Sequence, residues 1–293
     1  MSSRSQMSPR VFRSAAWMAA IAGSLALAGG ALAQSAPAGW FAEPAATQVA
    51  VQRLAREAKS LPVDGDVTLD EPPSLPGRPE RPRLVPPAAL PQRSPYTREG
   101  RAALLHAVAH IEFNAINLAL DAIWRFAGLP EAYYRDWLQV AAEEAHHFGL
   151  LAAHLAKLGH AYGDFDAHDG LWSMVERTKH DVVARMALVP RTLEARGLDA
   201  TPPMQAKLAR AGDARAVAIL DEILADEVGH VAIGNRWYRW LCERDGLDPI
   251  AHYALLAARH DAPRARPPFN LAARRRAGFT AAELAALTGA AAA

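Results

Sequence analysis

Carboxylate and imidazole side chains occur in this sequence where helical periodicity predicts an apolar face. Glu112 is the first of them, with Val108 and Ala109 one turn before it and Ala115 and Ile116 one turn after it. Burial of an ionised carboxylate costs several kcal/mol unless a positive partner compensates for it. Glu112 therefore predicts a buried cationic partner, or else the helix face has been assigned wrongly.

Two Glu-x-x-His motifs lie on further apolar stripes, one at Glu144 and His147 and the other at Glu227 and His230. Residues three apart share a helix face, so each motif directs a carboxylate oxygen and an imidazole nitrogen to one place. Each motif can therefore supply two ligands to a metal ion from a rigid backbone. Their neighbours at helical spacing are apolar: Val140, Ala141, Phe148, Leu151 and Leu155 for the first motif, and Leu220, Ile223, Leu224, Val231, Trp237 and Leu241 for the second.

Glu194 is the candidate for a fourth carboxylate, although Arg191 interrupts its apolar stripe. The spacing supports this choice, because Glu144 follows Glu112 by 32 residues and Glu227 follows Glu194 by 33. The histidines of the two motifs follow the same two carboxylates by 35 and 36 residues. One such arrangement is common by chance, whereas two in the same order indicate a repeated ligand set.

The charges of this ligand set favour a dinuclear metal site. Four carboxylates in an apolar interior cannot all stay ionised alone, because like charges at short range raise one another's pKa. Two divalent cations balance four carboxylates and leave both imidazoles neutral. Oxygen-rich ligands with imidazole favour iron or manganese over structural zinc, and they match the known pattern of di-iron carboxylate bundles. A single cysteine, Cys242, excludes a cysteine-rich zinc site and an intrachain disulfide framework.

Three polar residues flank the predicted ligands. Glu143 and His146 form an overlapping Glu-x-x-His motif with more polar neighbours. They are predicted to lie beside the site, or to be its ligands if the helix register is shifted. Asp226 is predicted to orient His230 through a hydrogen bond, as carboxylates do for metal-binding imidazoles.

His106 and His110 form a further pair at helical spacing. They lie about 120° and about 160° around the helix from Glu112. This orientation favours packing or hydrogen bonding over metal binding. Pro190, one turn before Glu194, predicts either a kink in the helix or its end.

Periodicity and stop signals predict four long helices that carry these residues, over 97–126, 130–158, 171–196 and 214–244. The first and second end at Gly128 and Gly159, and the third ends before Gly197. Shorter helices are predicted over 44–59, from Thr201-Pro202-Pro203 to Gly212, over 249–259, and after a capping box at Thr280 and Glu283. No alternating strand pattern occurs, so the fold class is all-α.

The first 33 residues carry three arginines and then an apolar run from Ala15 to Ala33. This layout predicts a signal peptide, and the alternatives are an Ala-rich N-terminal helix or a non-native extension translated from a misassigned start. Ten prolines between Pro62 and Pro95 predict an extended segment, either a disordered linker or an ordered strap. The predicted organisation is 1–33 as leader, 34–95 as short helix and strap, 96–260 as helical bundle, and 261–293 as C-terminal extension.

The overall charge gives no strong nucleic-acid or membrane signal. Lys and Arg number 32 and Asp and Glu 31, a net charge of +1. A basic stretch from Arg264 to Arg276 could bind RNA, but a short basic tail is more often solvated. After the first 33 residues, no apolar run is long enough to predict a transmembrane helix in the mature chain.

Several long motifs occur along the chain: His110-Ile-Glu112-Phe-Asn-Ala, Glu143-Glu144-Ala-His-His147-Phe, residues 190–199, Asp226-Glu227-Val-Gly-His230-Val, residues 162–168, residues 267–270 and residues 277–279. Over residues 76 to 279, these motifs resemble a bacterial ferritin-like family catalogued as domain of unknown function 455. The resemblance implies a ferritin-like four-helix bundle with an extra short helix and N- and C-terminal extensions. It also implies a cytoplasmic protein, whereas the leader-like segment implies export to the periplasm. The resemblance further implies a fold similar to that of tRNA-modifying di-iron monooxygenases, and the family has no assigned activity.

The leading hypothesis is a dinuclear iron protein that uses O2 to oxidise or hydroxylate an unknown substrate, as a monomer or small oligomer. Manganese is the alternative metal. The substrate pocket would be near Phe113, Phe148 or Trp237, unless these are simply core residues. The predicted roles are terminal ligands for Glu112 and Glu194, bridging ligands for Glu144 and Glu227, and one imidazole per iron from His147 and His230.

Two alternatives compete with this hypothesis. The first is iron storage, sequestration or iron oxidation without an organic substrate. A storage shell requires a compact bundle. The strap, the inserted helix and the C-terminal extension add to such a bundle, so they favour a monomer or small oligomer over a storage shell. The second is a metal-free helical bundle, which requires six polar side chains to be buried without a metal or the helix faces to be wrong.

Overall fold

The regular secondary structure is helical in the part of the chain that the computed structural model describes, residues 44–68 and 78–289. Within these residues there are isolated β-bridges but no β-strand, which confirms the all-α prediction. The predicted leader over residues 1–33 lies outside the described residues.

Ten helices are described, and the predicted bounds of three long helices agree with the structure to within one residue. A π-helical segment, Val189–Glu194, joins the fifth helix to the sixth, and a short 3₁₀ turn occupies Pro87–Ala89. The helices are α1 Pro44–Ala58, α2 Arg98–Arg125, α3 Glu131–Lys157, α4 Gly170–Arg177, α5 Val182–Leu188, α6 Ala195–Arg210, α7 Ala214–Arg244, α8 Pro249–Arg259, α9 Leu271–Arg276 and α10 Ala281–Thr288.

The predicted single helix over 171–196 is wrong, because the chain forms two helices and a π-helical segment there. The Thr178 hydroxyl donates a hydrogen bond to the Met174 carbonyl oxygen at 2.8 Å, at the end of α4. The next helix begins after Asp181, whose carboxylate accepts a hydrogen bond from the Ala184 N–H at 2.9 Å. This cap satisfies a backbone donor that has no partner within the first helical turn.

The predicted stop at Gly197 and the separate helix starting at residues 201–203 are also wrong, because α6 runs through all of these positions. Ala195 and Leu198 of α6 are fully buried in a hydrophobic cluster with Ala273 of α9. Glycine in a helix interior costs about 1 kcal/mol, and this packing outweighs that preference. The helical run therefore continues without a break from α5 through the π-helical segment to the end of α6.

The described residues divide into two compact units, and the first comprises residues 44–68, 78–80 and 115–146. In this unit the Tyr134 hydroxyl lies 2.9 Å from the carbonyl oxygens of Gly65 and Phe126. Arg135 donates hydrogen bonds to the carbonyl oxygens of Ala58 and Leu61 at 3.2 and 2.9 Å. These bonds fix the chain after α1 against the start of α3.

The second unit comprises the described residues 81–114 and 147–289. Helix α7 is its main packing partner and contacts α5, the π-helical segment, α6, α8 and α9. The start of α2 is tied to the end of α3, because Arg98 donates a hydrogen bond to the Leu158 carbonyl oxygen at 2.9 Å. Gly159 ends α3 with a φ of +77°, a left-handed conformation that favours glycine.

The proline-rich segment is ordered where it meets the chain between α3 and α4. Leu84 and Ala167 form a parallel bridge, in which Val85 N–H donates to the Ala167 carbonyl oxygen at 2.8 Å. Arg83 adds an ion pair with Asp166. These contacts hold residues 83–85 against the chain between α3 and α4, and residues 69–77 of the segment lie outside the described residues.

Helix α2 is the one described helix that is long and apolar enough to cross a membrane. Its most apolar window is 72% buried within the protein, as is typical of a core helix in a soluble protein.

Candidate metal centre

All six side chains predicted as metal ligands are buried. Glu144, His147 and His230 have no exposed surface, and the other three are at most 8% exposed. Ionised carboxylates and imidazoles are rarely buried without a compensating partner. The six residues are Glu112 on α2, Glu144 and His147 on α3, Glu194 at the end of the π-helical segment, and Glu227 and His230 on α7.

The His147 imidazole lies between two carboxylates. Its Nδ1 atom is 3.2 Å from Glu112 Oε2, and its Nε2 atom is 3.0 Å from Asp226 Oδ2. A neutral imidazole has one N–H donor, and an ionised carboxylate only accepts hydrogen bonds. One of the two contacts therefore needs either an additional proton, on His147 or on one of the carboxyl groups, or a cation shared with a carboxylate.

The distance between Glu112 and His147 suits a shared metal ion. Two ligands at right angles on an ion with bonds of about 2.1 Å lie about 3 Å apart. Asp226 can then accept the N–H of the other ring nitrogen, which fixes the tautomer and orientation of the imidazole. The side chain of Asp226 is 39% exposed, so the contact lies at the edge of the buried cluster.

Glu227 and His230 occupy the same face of α7, and Glu227 Oε1 is 4.0 Å from His230 Nδ1. The His147 and His230 rings lie close together, with centroids 5.9 Å apart. The structure thus brings together the two histidines that the sequence placed in separate motifs.

Two groups of buried side chains could hold a metal ion: Glu112 with Glu144 and His147, and Glu144 with Glu227 and His230. In each group, one ligand atom from each residue lies within 4.8 Å of the others. Glu144 belongs to both groups, as expected of a carboxylate that bridges two ions. Five of the six predicted ligands are therefore in these groups, and Glu194 is not among them.

Glu194 is the last residue of the π-helical segment, and its side chain is 7% exposed. Pro190 lies in this segment, so the helix is deformed there rather than ended, in agreement with the first of the two predictions for Pro190. The segment approaches α7 at Gly234, where a Cβ atom would lie 2.5 Å from Pro190 Cβ. Glycine thus permits the close approach of α7 to the segment that carries Glu194.

Arg191 anchors the π-helical segment, a role that the sequence did not reveal. Its Nη1 donates to Asn235 Oδ1 at 2.6 Å, and its Nη2 donates to Glu283 Oε1 at 2.8 Å. The guanidinium also lies about 5 Å from the ring centroids of Tyr238 and Phe279. In the sequence Arg191 only interrupts an apolar stripe, and no local signal connects it to a residue 92 positions away.

Glu283 remains acidic in this buried pair. Burial raises the pKa of its carboxyl group, but Arg191, the Thr280 backbone N–H and Arg239 together bring the pKa below its ordinary value. The predicted capping box at Thr280 and Glu283 is confirmed. Glu283 therefore both starts α10 and holds Arg191.

The flanking residues differ in position. Asp226 contacts His147, whereas the sequence paired it with His230. Glu143 is half-buried and accepts a hydrogen bond from Gln139 at 2.9 Å, and His146 is exposed. Of the two overlapping motifs, the one with both side chains buried is therefore Glu144 and His147, which are the predicted ligands.

His106 and His110 pack against the chain between α3 and α4, as the sequence favoured. His106 Nε2 accepts a hydrogen bond from Gly163 N–H at 2.8 Å, and its ring stacks on Tyr162 with centroids 5.2 Å apart. His110 Nδ1 lies 2.9 Å from the Tyr162 hydroxyl oxygen. Burial and the neighbouring His110 lower the pKa of His106 to about 4, so His106 is neutral at pH 7.

The aromatic residues predicted near a substrate pocket are core residues in the structure. Phe113, Phe148 and Trp237 are at most 5% exposed. Phe113 and Phe148 contact each other and Tyr162, with ring centroids 5.2 to 5.6 Å apart. They form an apolar wall next in sequence to Glu112 and His147.

Comparison with known proteins gives a family and a relative. The family described as "Protein of unknown function (DUF455)" matches residues 41–285. An uncharacterized protein from Haemophilus influenzae is 54% identical over 213 residues, which cover 70% of this chain and 74% of that protein. No solved structure matches the chain.

Proposed function

Because this chain belongs to the DUF455 family, whose description names no activity, we propose its function from the site itself. We propose that it is a ferritin-like dinuclear metal protein that binds two iron ions and uses O2 to oxidise or hydroxylate a substrate. Its ligands would be Glu112, Glu144, His147, Glu194, Glu227 and His230.

The position of His147 between Glu112 and Asp226 is the observation that carries this proposal. Both ring nitrogens face carboxylate oxygens, at 3.2 and 3.0 Å, in a buried environment. A metal ion held by His147 and Glu112 would satisfy both contacts while leaving the imidazole neutral. Binding of an ion between His147 Nδ1 and Glu112 Oε2 requires no large movement of either side chain, because the two atoms are already 3.2 Å apart.

The rest of the ligand set supports two ions rather than one. Glu144 belongs to two groups that could each hold an ion. Four carboxylates balance two divalent ions, and the set has oxygen and nitrogen ligands without a thiolate, which suits iron or manganese. Glu194 would be the remaining ligand, positioned by the π-helical segment. Such segments occur frequently at functional sites.

The residues around the proposed ions have separate tasks. When bound, the iron ions would supply the electrons that reduce O2. Asp226 would orient the His147 imidazole, and the Phe113 and Phe148 side chains would limit the access of water. The proposed fold is a four-helix bundle in which α2, α3, the run from α5 to α6, and α7 each contribute ligands, flanked by the strap and the C-terminal extension.

An O2-uptake experiment tests this function. The chain is freed of metal, loaded anaerobically with two equivalents of Fe(II), and mixed with O2 in an oxygen electrode. Wild type is expected to consume O2 in proportion to its iron, and His147→Ala is expected to lose most of this uptake. The matched control is His146→Ala, which removes the adjacent, exposed imidazole and should behave as wild type. Equal uptake by the two variants would contradict the assignment.

The same samples separate an oxygenase from an iron-storage protein. Storage predicts that the chain forms a large assembly and accumulates many ferric ions per chain. Size measurement by light scattering and repeated Fe(II) additions examine both properties. Turnover limited to two irons in a monomer or small oligomer supports the oxygenase, and continued accumulation of iron in a large assembly refutes it.

A further inference from the structure

A cavity of about 280 Å³ in the second unit is lined by parts of the strap, α2, α6 and the C-terminal extension. Its lining includes Arg93 of the strap, Leu104 of α2, and Met204 and Lys207 of α6. The C-terminal extension contributes Pro268. The strap and this extension are the segments that the proposed bundle does not need, and they meet at this cavity.

The acidic residue in the lining is already neutralised. Asp199 is buried, and both of its carboxylate oxygens accept hydrogen bonds from Arg274, at 2.7 and 3.1 Å. The Asn270 N–H donates a third bond at 2.8 Å. A bidentate arginine pair uses the charge and most of the acceptor capacity of a carboxylate. Asp199 therefore contributes little negative potential to the cavity.

The cations in the lining are less completely paired. Arg93 has an ion pair with Glu99 at 3.2 Å. Arg196 donates a hydrogen bond to a backbone carbonyl oxygen and lies 3.7 Å from Asp199, which Arg274 already occupies. Lys207 is exposed, and it forms no ion pair among the described residues. Arg196 and Lys207 thus leave the cavity with an excess of positive charge.

The remaining walls of the cavity are apolar. Leu104, Met204, Pro203 and Pro268 surround the space beside the two cations. Ligand pockets generally have volumes of about 300 to 1,000 Å³, so this cavity suits a ligand of the smallest size. A cationic rim with apolar walls suits a molecule that has one anionic group and a compact apolar body.

We propose that this cavity binds a small organic anion, in which Arg196 and Lys207 contact a carboxylate or phosphate group and the apolar walls contact the rest of the molecule. The lining contains none of the six proposed metal ligands. The proposal therefore does not depend on the metal centre.

Isothermal titration calorimetry with four probes tests the proposal: benzoate, phenyl phosphate, inorganic phosphate and benzyl alcohol. Benzoate, phenyl phosphate or both should bind more tightly than inorganic phosphate, which lacks the apolar body, and than benzyl alcohol, which lacks the charge. The comparison of benzoate with phenyl phosphate identifies which anionic group is preferred. Lys207→Ala and Arg196→Ala should each weaken binding by about tenfold, the value of one charge-assisted hydrogen bond.

Two further variants separate the cavity from surface charge in general. Arg210→Ala removes an exposed cation of α6 that is not in the lining, and it should leave binding unchanged. Met204→Trp fills the cavity without a change in charge, and it should abolish binding. The proposal is overturned if none of the probes binds at about 10 mM, a concentration that detects even weak sites. It is also overturned if Arg210→Ala weakens binding as much as Lys207→Ala.

The metal content of each cavity variant is measured in parallel. Lys207→Ala and Arg196→Ala should retain the wild-type metal content, because the lining and the metal ligands are different residues. Phosphate binding that depends on metal and is unaffected by both variants would place the anion at the metal centre and refute the cavity. Failure of this proposal is thus distinguishable from failure of the proposed function.

Discussion

Single side chains determine how tightly the proposed centre would hold metal, and Asp226 is the most informative of them. Its carboxylate lies 3.0 Å from His147 Nε2 but is not itself a proposed ligand. Asp226→Asn keeps the shape and removes the charge that supports the imidazole. Because such outer partners contribute about 10- to 100-fold to metal affinity, we expect Fe(II) affinity to fall by this factor in competition with a chelator.

The control for Asp226→Asn is Asp221→Asn, which removes an exposed carboxylate from the same helix. This variant should bind Fe(II) as wild type does. If both variants lose the same affinity, the effect arises from the general charge of α7 and the specific role of Asp226 is wrong.

His106 makes stability depend on pH. Its pKa is about 4 in the folded protein and 6.5 in the unfolded chain, so below pH 6.5 the unfolded chain binds a proton that the folded chain does not. Stability is therefore fully present above pH 6.5 and is lost as the pH falls towards 4. Through this difference in pKa, the free energy of unfolding falls by about 2 kcal/mol between pH 7 and pH 5.

Urea unfolding at pH 7 and pH 5, with a chelator present, measures this contribution. His106→Gln should lose less stability than wild type over this pH interval, although it is less stable at pH 7. The exposed His180→Gln is the control and should keep the wild-type dependence. An unchanged pH dependence in His106→Gln would contradict the role of the buried imidazole.

At the level of secondary-structure elements, the fit of α7 against the π-helical segment depends on Gly234. The Cβ atom of Gly234→Ala would lie 2.5 Å from Pro190 Cβ, so the segment must move. Such overpacking costs about 1 to 3 kcal/mol of folding free energy. Because Glu194 ends this segment, the variant should also bind less metal, as measured by elemental analysis alongside urea unfolding.

Gly229→Ala is the matched control on the same helix. An added Cβ there has open space around it, so alanine should be neutral or stabilising by up to about 1 kcal/mol. Unchanged stability and metal content in Gly234→Ala would show that the close approach to Pro190 is not required.

The ion pair between Arg191 and Glu283 connects the C-terminal extension to the same segment. Glu283→Gln removes the negative partner of a buried arginine, and loss of one partner of a buried pair costs about 3 to 5 kcal/mol. The exposed Glu243→Gln is the control. Urea unfolding should show the loss only in Glu283→Gln, and equal stabilities of the two variants would contradict the anchoring role.

Local signals predicted some elements and not others, for physical reasons. Helices α2, α3 and α7 follow from their periodicity and from the prolines and glycines at their ends. The region of α4 to α6 does not, because its continuity depends on distant contacts. Gly197 lies inside a helix that α9 covers, and Arg274 binds Asp199 from 75 positions away.

For the whole molecule, the sequence predicted which carboxylates and imidazoles are buried more fully than it predicted the contacts that hold them in place. Burial of Glu112, the two Glu-x-x-His motifs and Glu194 follows from apolar neighbours at helical spacing. The pairing of Asp226 with His147 could not be predicted, since it depends on how α3 and α7 face each other. The cavity at Lys207 could not be predicted either, because its lining comes from four separate segments.

The metal content of matched variants tests the central claim, a dinuclear metal centre, most directly. Elemental analysis after Fe(II) loading and desalting should find about two metal ions per chain in wild type, as four carboxylates and two imidazoles imply. Glu143→Gln, in which the half-buried neighbour is changed, should also hold two. Glu144→Gln, in which the residue common to both groups is changed, should hold less than one. A wild-type content near zero, or an unchanged content in Glu144→Gln, would contradict the account.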